Sequence, residues 1–210
     1  MLECRNIFKS YDKKEVLSNF SISLEKGTIT CLLGRSGIGK STLARVVSLF
    51  DSPDKGAVYL NGLDISSLKG KEKRKIRKRI QLIFQNPLSS FDPRWSIKRS
   101  LKEANRDITD EEIKTMLDSL ALGYLDIESK PGNISGGELQ RIAILRALLA
   151  NPEVIIADEI TSSLDAINRK LVLDMILESR NKETAILFIT HDRDAAHYIS
   201  DYIIEMEDRS

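Results

Sequence analysis

The stretch GRSGIGKST, Gly34 to Thr42, decides the fold of this chain. It follows the apolar run TITCLL and fits the phosphate-loop pattern G-x-x-x-x-G-K-[ST], which joins a strand to a helix, here beginning near Thr42. Its glycines let backbone N–H groups wrap phosphates. Lys40 then supplies a positive charge to the β and γ phosphates, and the Ser41 hydroxyl is a ligand for Mg²⁺. We therefore expect ATP and Mg²⁺ as cofactors, with the nucleotide held by Gly34, Arg35, Ser36, Gly37, Ile38, Gly39, Lys40, Ser41 and Thr42.

A second motif, VIIADE at 154–159, delivers two carboxylates at the end of an apolar strand. Ligands of open α/β sheets bind at the carboxyl ends of the strands, so both side chains should face the phosphates. Asp158 is predicted to hold Mg²⁺, and Glu159 to orient and polarise the attacking water. An acidic pair after a strand is by itself as often a helix cap or a surface turn, but together with the phosphate loop it favours catalysis.

Two further polar residues end apolar strands and should emerge on the same rim of the sheet. Gln85 ends IQLIFQ and His191 follows AILFIT, which suits sensors of the γ-phosphate. A lone glutamine or histidine in such a place is usually a satisfied turn residue. Their functional interpretation depends on the other motifs.

The stretch NISGGELQR, 133–141, predicts a second anion-receiving helix start. Ser135 takes the N-cap position, Gly136 and Gly137 allow close backbone approach, and Glu138 at N3 completes a capping box. Lys40 already serves one triphosphate, so this second half-site is useful if two subunits pair head to tail and each closes the ATP of the other. A purely structural capping box is the alternative, and the two are not exclusive.

The rest of the chain predicts one α/β domain. Short apolar runs of strand length fill the first third, helical patterns run from Asn86 to Ala150, and continuous apolar runs return after Glu153. The 32 basic and 31 acidic residues nearly balance, so overall charge demands no nucleic-acid partner. Cys4 and Cys31 lack metal-ligand spacing, and the opening residues do not resemble a secretory signal, so buried, reduced thiols in a cytosolic protein are expected.

The basic tract from Lys69 to Arg79 remains open to two interpretations. It carries eight lysines and arginines against one glutamate. It could face phosphate or lipid headgroups, but a solvated helix face is favoured.

These motifs carry a family resemblance. In order and spacing, GRSGIGKST, FQNP, ISGGELQR, VIIADE, SSLD and FITHD resemble the nucleotide-binding subunit of an ABC transporter. The resemblance covers nearly the whole chain. It implies a phosphate-loop (RecA-like) α/β core at 1–85 and 151–210, with an N-terminal antiparallel β element and an inserted α-helical subdomain at 86–150.

The same resemblance assigns further roles. It makes Tyr11 the aromatic that stacks on adenine, with Val16 beside it, and Asp165 the carboxylate of the D-loop. Gln85 becomes a Mg²⁺ ligand along with Ser41 and Asp158. The signature motif of the family corresponds to Ser135, Gly136, Gly137 and Glu138. The residues with catalytic roles are Glu159, His191, Lys40 and Gln85. Ile134 and Glu138 depart from the usual Leu-Ser-Gly-Gly-Gln, and the glutamate brings negative charge toward a phosphate; Ile160 stands where many relatives have proline.

The resemblance also implies partners and a location. QNPLSSFDPRWSI, 85–97, resembles ATPases of the peptide and nickel import group. It implies integral membrane permeases, a second ATPase subunit that is paralogous or identical, and a solute-binding protein, at the cytoplasmic face of the membrane and without nucleic acid. Many group members continue in a C-terminal extension, and no function of such an extension is carried over to this chain. A soluble ABC ATPase of DNA repair or translation, an importer for another solute, or a subunit that binds ATP without efficient hydrolysis remain alternatives.

Overall fold

The computed structural model describes residues 1–207. In chain order the strands are β1 (Leu2–Tyr11), β2 (Lys14–Leu24), β3 (Ile29–Leu33), β4 (Lys55–Leu60), β5 (Leu63–Asp64), β6 (Ile80–Ile83), β7 (Val154–Asp158), β8 (Ala185–Thr190) and β9 (Tyr202–Glu205). The helices are α1 (Lys40–Val47), α2 (Gly70–Arg79), α3 (Ile97–Ala104), α4 (Asp110–Ser119), α5 (Gly136–Leu149), α6 (Ala166–Glu178) and α7 (Arg193–Ile199), with 3-10 turns at Pro87–Ser90 and Pro131–Asn133.

The chain forms two compact units. The first consists of residues 1–82, 152–159 and 180 onward, and the second of residues 83–151 and 160–179. The second unit thus includes α6, which the sequence predicts to be part of the ATPase core. Contacts between α5 and α6 explain why α6 belongs to the second unit.

The first unit contains two sheets of different character. One is antiparallel, in the order β2-β1-β4-β5, and forms the N-terminal β element. The other has the order β6-β7-β8-β3-β9, in which β7, β8, β3 and β9 pair in parallel. Every residue of β3, β7 and β8 is buried, as expected for parallel strands covered on both faces.

The order of the parallel sheet positions the site. Because β7, β8 and β3 are neighbours, the residues that follow their carboxyl ends meet along one edge. The phosphate loop follows β3, Glu159 follows β7, and His191 follows β8. Three motifs that are far apart in sequence therefore share one edge.

Helices build the second unit. A capping box begins α4, in which Glu112 accepts from the Thr109 backbone and the Thr109 hydroxyl accepts in return, as its sequence predicts. Ile113 and Leu117 of that helix are buried with Leu101 of α3 and Ile142 of α5, and they supply the apolar packing of the unit.

The predicted thiol chemistry is confirmed. Cys4 and Cys31 are free and buried, and burial raises the pKa of each thiol to about 12. Neither is therefore a reactive thiolate near neutral pH. Within residues 1–207, none of the helices has the length and apolar character required to span a bilayer.

Candidate active site

The phosphate loop has a backbone that only glycine accommodates easily. Gly37 and Gly39 have φ values of 84° and 112°, in the left-handed region that L side chains rarely adopt. A Cβ at Gly39 would also lie 3.0 Å from the Val16 carbonyl oxygen. The loop therefore turns sharply into α1, and its backbone packs closely against Val16 at the start of that helix.

Lys40, the first residue of α1, is the centre of the site. Its side chain is 3% exposed, and its ammonium donates to the carbonyl oxygens of Gly34 at 2.7 Å and Arg35 at 2.9 Å. Its third contact is an ion pair with Glu159, with 3.1 Å between Nζ and Oε1. An ammonium has three donors, so these contacts match its full capacity.

Glu159 joins the lysine to the histidine. Its other oxygen lies 3.4 Å from Nδ1 of His191, while its backbone N–H donates to the Ile189 carbonyl at 3.0 Å. The structure thus brings Lys40, Glu159 and His191, predicted from three separate motifs, into contact. A carboxylate in this place can accept a proton or orient a water molecule.

Ser41 and Asp158 form the second contact across the site. The Ser41 hydroxyl lies 3.2 Å from Oδ1 of Asp158. Burial is the main cause that raises the pKa of Asp158, Glu159 raises it further, and Ser41 and Lys40 oppose the shift. Hydroxyl and carboxylate oxygens are the hard donors that Mg²⁺ prefers, so this pair fits the predicted metal.

Two cavities flank the phosphate loop within the first unit. One, of about 790 Å³, is lined by Gly34, Arg35, Ser36 and His191 among others. The other, of about 610 Å³, contacts Gly37 and Ile38 on one side and Val16, Ser18 and Phe20 on the other. Both sizes are in the range of small-molecule sites.

Tyr11 and Val16, the predicted adenine contacts, have different surroundings. Val16 lines the second cavity beside the loop. Tyr11 is 42% exposed and donates its hydroxyl to Asp51 at 2.6 Å, and Arg45 holds the same carboxylate at 2.8 Å. The ring of Tyr11 is therefore fixed at its polar end, and the Lys9 ammonium lies over the ring, 5.4 Å from its centroid.

In the second unit, Gln85 lies two residues beyond Ile83, where β6 ends, and not at the end of the strand as its sequence predicts. Its Nε2 donates to the Ser162 hydroxyl at 3.0 Å. Ser162 belongs to the segment between β7 and α6, which connects the carboxylates of VIIADE to Asp165. Gln85 is thus tied to the segment that follows β7.

The predicted second half-site forms the start of α5. Ser135 is its N-cap, and Oε2 of Glu138 accepts from the Ser135 backbone at 2.9 Å and from its hydroxyl at 2.6 Å. The other oxygen of Glu138 accepts from the Tyr124 hydroxyl. The carboxylate that replaces the usual glutamine is therefore surrounded by three donors.

Asp165 and the signature glycines are linked through one asparagine. Asp165 is the N-cap of α6 and accepts from the backbone and side chain of Asn168, at 2.9 and 2.7 Å. The Asn168 carboxamide also accepts from Arg141 and lies so close to Gly137 that a Cβ there would be 2.8 Å from it. Substitution of that glycine would disturb both helix starts.

Tyr124, Arg141 and Asn168 have contacts here that their sequence patterns do not predict. Arg141 ends the motif ISGGELQR but has no predicted role, and no local pattern marks Tyr124 or Asn168, because each acts through a partner elsewhere in the chain. A tight glycine such as Gly137 signals a close neighbour, but it does not identify the residue that approaches.

Comparisons with known proteins agree on one family. A sequence model of the ABC transporter family matches residues 17–162. The di/tripeptide transport ATP-binding protein DppF of Pseudomonas aeruginosa is 32% identical over 210 residues, 96% of this chain and 65% of that protein. The methionine import ATP-binding protein MetN 1 of Listeria monocytogenes is 36% identical over 218 residues, 99% of this chain and 64% of that one. The nickel import ATP-binding protein NikE of Shigella boydii is 34% identical over 190 residues, 87% and 71% of the two chains.

Solved structures agree with the fold. The ATP-binding cassette MJ0796, in a dimeric post-hydrolysis state bound to ADP and Pi, superposes with a TM-score of 0.82 at 27% identity, covering 98% of this chain and 94% of that one. This confirms the predicted ABC ATPase fold. The chain spans about 65% of the length of the peptide and methionine import relatives.

Proposed function

The chain belongs to the ABC transporter family, and from that membership we propose that it is the ATP-binding subunit of an importer, which hydrolyses ATP to ADP and phosphate. The observation that carries the proposal is the contact of Lys40 with Glu159 at 3.1 Å, with His191 on the other oxygen of that glutamate. This arrangement sets a phosphate-binding cation beside a carboxylate suited to polarise water.

The contacts of Lys40 suggest how binding prepares hydrolysis. Incoming β and γ phosphates compete with Glu159 for the lysine ammonium, and the multiply charged phosphates displace the single carboxylate. Glu159 is then available to orient water toward the γ-phosphate. His191, 49% exposed at the edge of the sheet, would sense that phosphate.

Mg²⁺ would be held by Ser41, Asp158 and Gln85. When bound, the ion neutralises charge on the phosphate oxygens and orients them. Asp158 must be ionised to take this role, and its contact with Ser41 keeps a donor beside the carboxylate before the ion arrives.

The adenine ring would stack on Tyr11, beside Val16. Such stacking is worth about 1–3 kcal/mol per base. The bond from Tyr11 to Asp51 fixes the orientation of the ring, and Lys9 lies over one face of it, so adenine would stack on the opposite face.

A second ATPase subunit completes the site. We infer that Ser135, Gly136, Gly137 and Glu138, together with Asp165, close over ATP held by the phosphate loop of that subunit, with residues 86–150 acting as a helical subdomain. The dimeric state of the related cassette MJ0796 supports this pairing. The partner is a paralogous ATPase, or a second copy of this chain.

The proposed complex lies at the cytoplasmic face of the membrane. Its other components are integral membrane permeases and a solute-binding protein, without nucleic acid. Similarity to the DppF and NikE proteins supports import of peptides or nickel complexes. Methionine import is a second candidate, because the MetN protein is 36% identical to this chain.

Affinity purification of the full chain from its own cells tests the assignment. We expect co-purification of integral membrane proteins and Mg²⁺-dependent release of phosphate from ATP. Recovery of ribosomes or DNA instead of membrane proteins would favour a soluble ABC ATPase. Uptake of labelled dipeptide, nickel and methionine by cells with and without the gene then distinguishes the solutes.

The shared site is tested by Ser135→Arg, which places a bulky cation where the partner's phosphate should approach. ATP binding at Lys40 should persist while hydrolysis by the complex falls. Ser119→Arg, at the exposed last residue of α4 in the same unit, is the control. A photoreactive γ-phosphate ATP analogue should label Ser135 only from nucleotide bound to the other subunit; labelling only from nucleotide on the same chain contradicts the pairing.

A further inference from the structure

Tyr124 and Glu138 form a contact that has no counterpart in the motif patterns. Tyr124 lies in the segment between α4 and α5, 14 residues before Glu138, and donates its hydroxyl to Oε1 of that glutamate. The tyrosine is 71% exposed, so water could satisfy its hydroxyl equally well. The bond therefore matters more to the carboxylate than to the tyrosine.

The other oxygen of Glu138 holds the residue that should meet a phosphate. Ser135 has one hydroxyl proton, and it is directed to Oε2 of Glu138 at 2.6 Å. A hydroxyl that donates to a carboxylate cannot donate that proton to a phosphate at the same time. Glutamine at this position would be a neutral side chain with donors of its own, whereas glutamate only accepts.

We propose that Tyr124 is a positioning residue for the half-site at Ser135. Its hydroxyl holds the Glu138 carboxylate in place in the first turn of α5 and offsets its negative charge. The Ser135 hydroxyl can then turn from this carboxylate to a phosphate. The inference rests on the proposed function, in which this half-site closes over ATP of a second subunit. After Ser135 turns away, Glu138 still has two donors, the Ser135 backbone N–H and the Tyr124 hydroxyl.

Without Tyr124 the same step is opposed by charge. Glu138 would lose its last side-chain donor when Ser135 turned, and it would face the incoming phosphate as an anion with only the Ser135 backbone N–H to stabilise it. Arg141, one turn along α5, directs its Nη1 to Asn168 and acts on Glu138 through its charge, so the side-chain hydrogen bond that remains on the carboxylate is the one from Tyr124. The tyrosine thus compensates for the departure from glutamine at this position.

A double-mutant cycle tests the role in the assembled ATPase. Tyr124→Phe, Glu138→Gln and the double variant are prepared in the purified complex, and the concentration dependence of ATP hydrolysis gives the association of the subunits. We expect Tyr124→Phe to weaken association about three- to tenfold, the effect of one charge-assisted hydrogen bond partly exposed to water. With Gln at 138 the same change should have less than about a twofold effect.

Tyr202→Phe, which removes a hydroxyl from another exposed tyrosine in β9, is the matched control and should leave association unchanged. Equal effects of Tyr124→Phe with Glu and with Gln at 138 would overturn the proposal, since the tyrosine would then act on something else. An unchanged association in Tyr124→Phe would also overturn it.

A second measurement needs neither ATP nor a partner. Hydrogen bonds from Ser135 and then Tyr124 lower the pKa of Glu138, so NMR titration of the labelled carboxyl group should show that pKa rising in Tyr124→Phe and staying constant in Tyr202→Phe. An unchanged pKa overturns the anchoring contact. If the unsubstituted chain fails to associate or hydrolyse ATP at all, the proposed function fails, and the titration still decides whether Tyr124 holds Glu138.

Discussion

Glu159→Gln should separate ATP binding from ATP hydrolysis. The substitution keeps the shape of the side chain and removes the charge that pairs with Lys40 and faces His191. A neutral amide cannot accept a proton from water, so hydrolysis by the assembled complex should fall by at least about 100-fold, the usual contribution of acid–base assistance.

The effect on binding can be worked out from the ion pair. At 3.1 Å between Lys40 Nζ and Glu159 Oε1, the gross Coulomb attraction is about 5 kcal/mol at an effective dielectric constant of about 20. Much of it is offset by desolvation of both groups, which leaves a net of roughly 1–2 kcal/mol. ATP no longer has to displace this pair in the variant, so its affinity should rise about 5- to 30-fold.

Calorimetric titration with ATP measures the affinity for ATP. Release of phosphate by the complex measures the rate of hydrolysis. Glu183→Gln provides the matched control, because Glu183 also pairs with a lysine, Lys26, but at an exposed site. It should change neither value. Turnover near that of the unsubstituted complex would refute the assignment of Glu159, and weaker ATP binding in Glu159→Gln would refute the competition for Lys40.

Three further predictions concern ionisation and packing. Burial, as the largest cause, raises the pKa of Asp158, so Mg²⁺-dependent ATP binding should be lost on acidification at a higher pH than an ordinary aspartate allows. In Asp158→Asn this pH dependence of the Mg²⁺ effect should vanish, as a binding titration with and without Mg²⁺ would reveal. A hydrogen bond from Arg45 is the main cause that lowers the pKa of Asp51 to about 2, which stabilises the fold above the unfolded pKa of about 4 and is lost as the pH falls toward about 2. Asp51→Asn should therefore flatten the acid limb of an unfolding curve followed by circular dichroism, and an unchanged limb would contradict the linkage. Phe188→Ala, in the fully buried strand β8, should lower the free energy of unfolding by about 3–5 kcal/mol in urea, whereas Tyr202→Ala should cost much less.

The buried strands were the part of the fold that sequence predicted best. The apolar runs VIIAD and AILFIT coincide with β7 and β8, because parallel strands buried on both faces need unbroken apolar sequence. The sequence predicts the two edge strands of the same sheet, β6 and β9, less well. The predicted strand after the basic tract extended to Gln85, but β6 ends at Ile83, and β9 was not predicted, because short strands depend on a neighbour that the local sequence does not reveal.

The motifs do not predict which side chains of the site contact each other, because these contacts depend on how distant segments fold together. The phosphate loop and VIIADE predicted that Lys40 and Glu159 share an edge of the sheet, but not that they form an ion pair. Tyr124 was missed altogether, since its contact with Glu138 is set by the path of the segment between α4 and α5. Residue types thus predicted the chemistry, and tertiary structure determined which groups are already paired.

The backbone of Glu159 explains how two adjacent carboxylates serve one site. In a continuing strand, successive side chains point to opposite faces, so Asp158 and Glu159 would diverge. β7 instead ends at Asp158, and Glu159 adopts a left-handed φ of 48°, a conformation that costs a non-glycine residue roughly 1–2 kcal/mol. Its N–H bond to the Ile189 carbonyl secures the turn. With this turn Asp158 contacts Ser41 while Glu159 contacts Lys40, so one side chain is available to a metal and the other to water. Strain at Glu159 therefore lets neighbouring positions of the chain make two separate contacts, as the two proposed roles require.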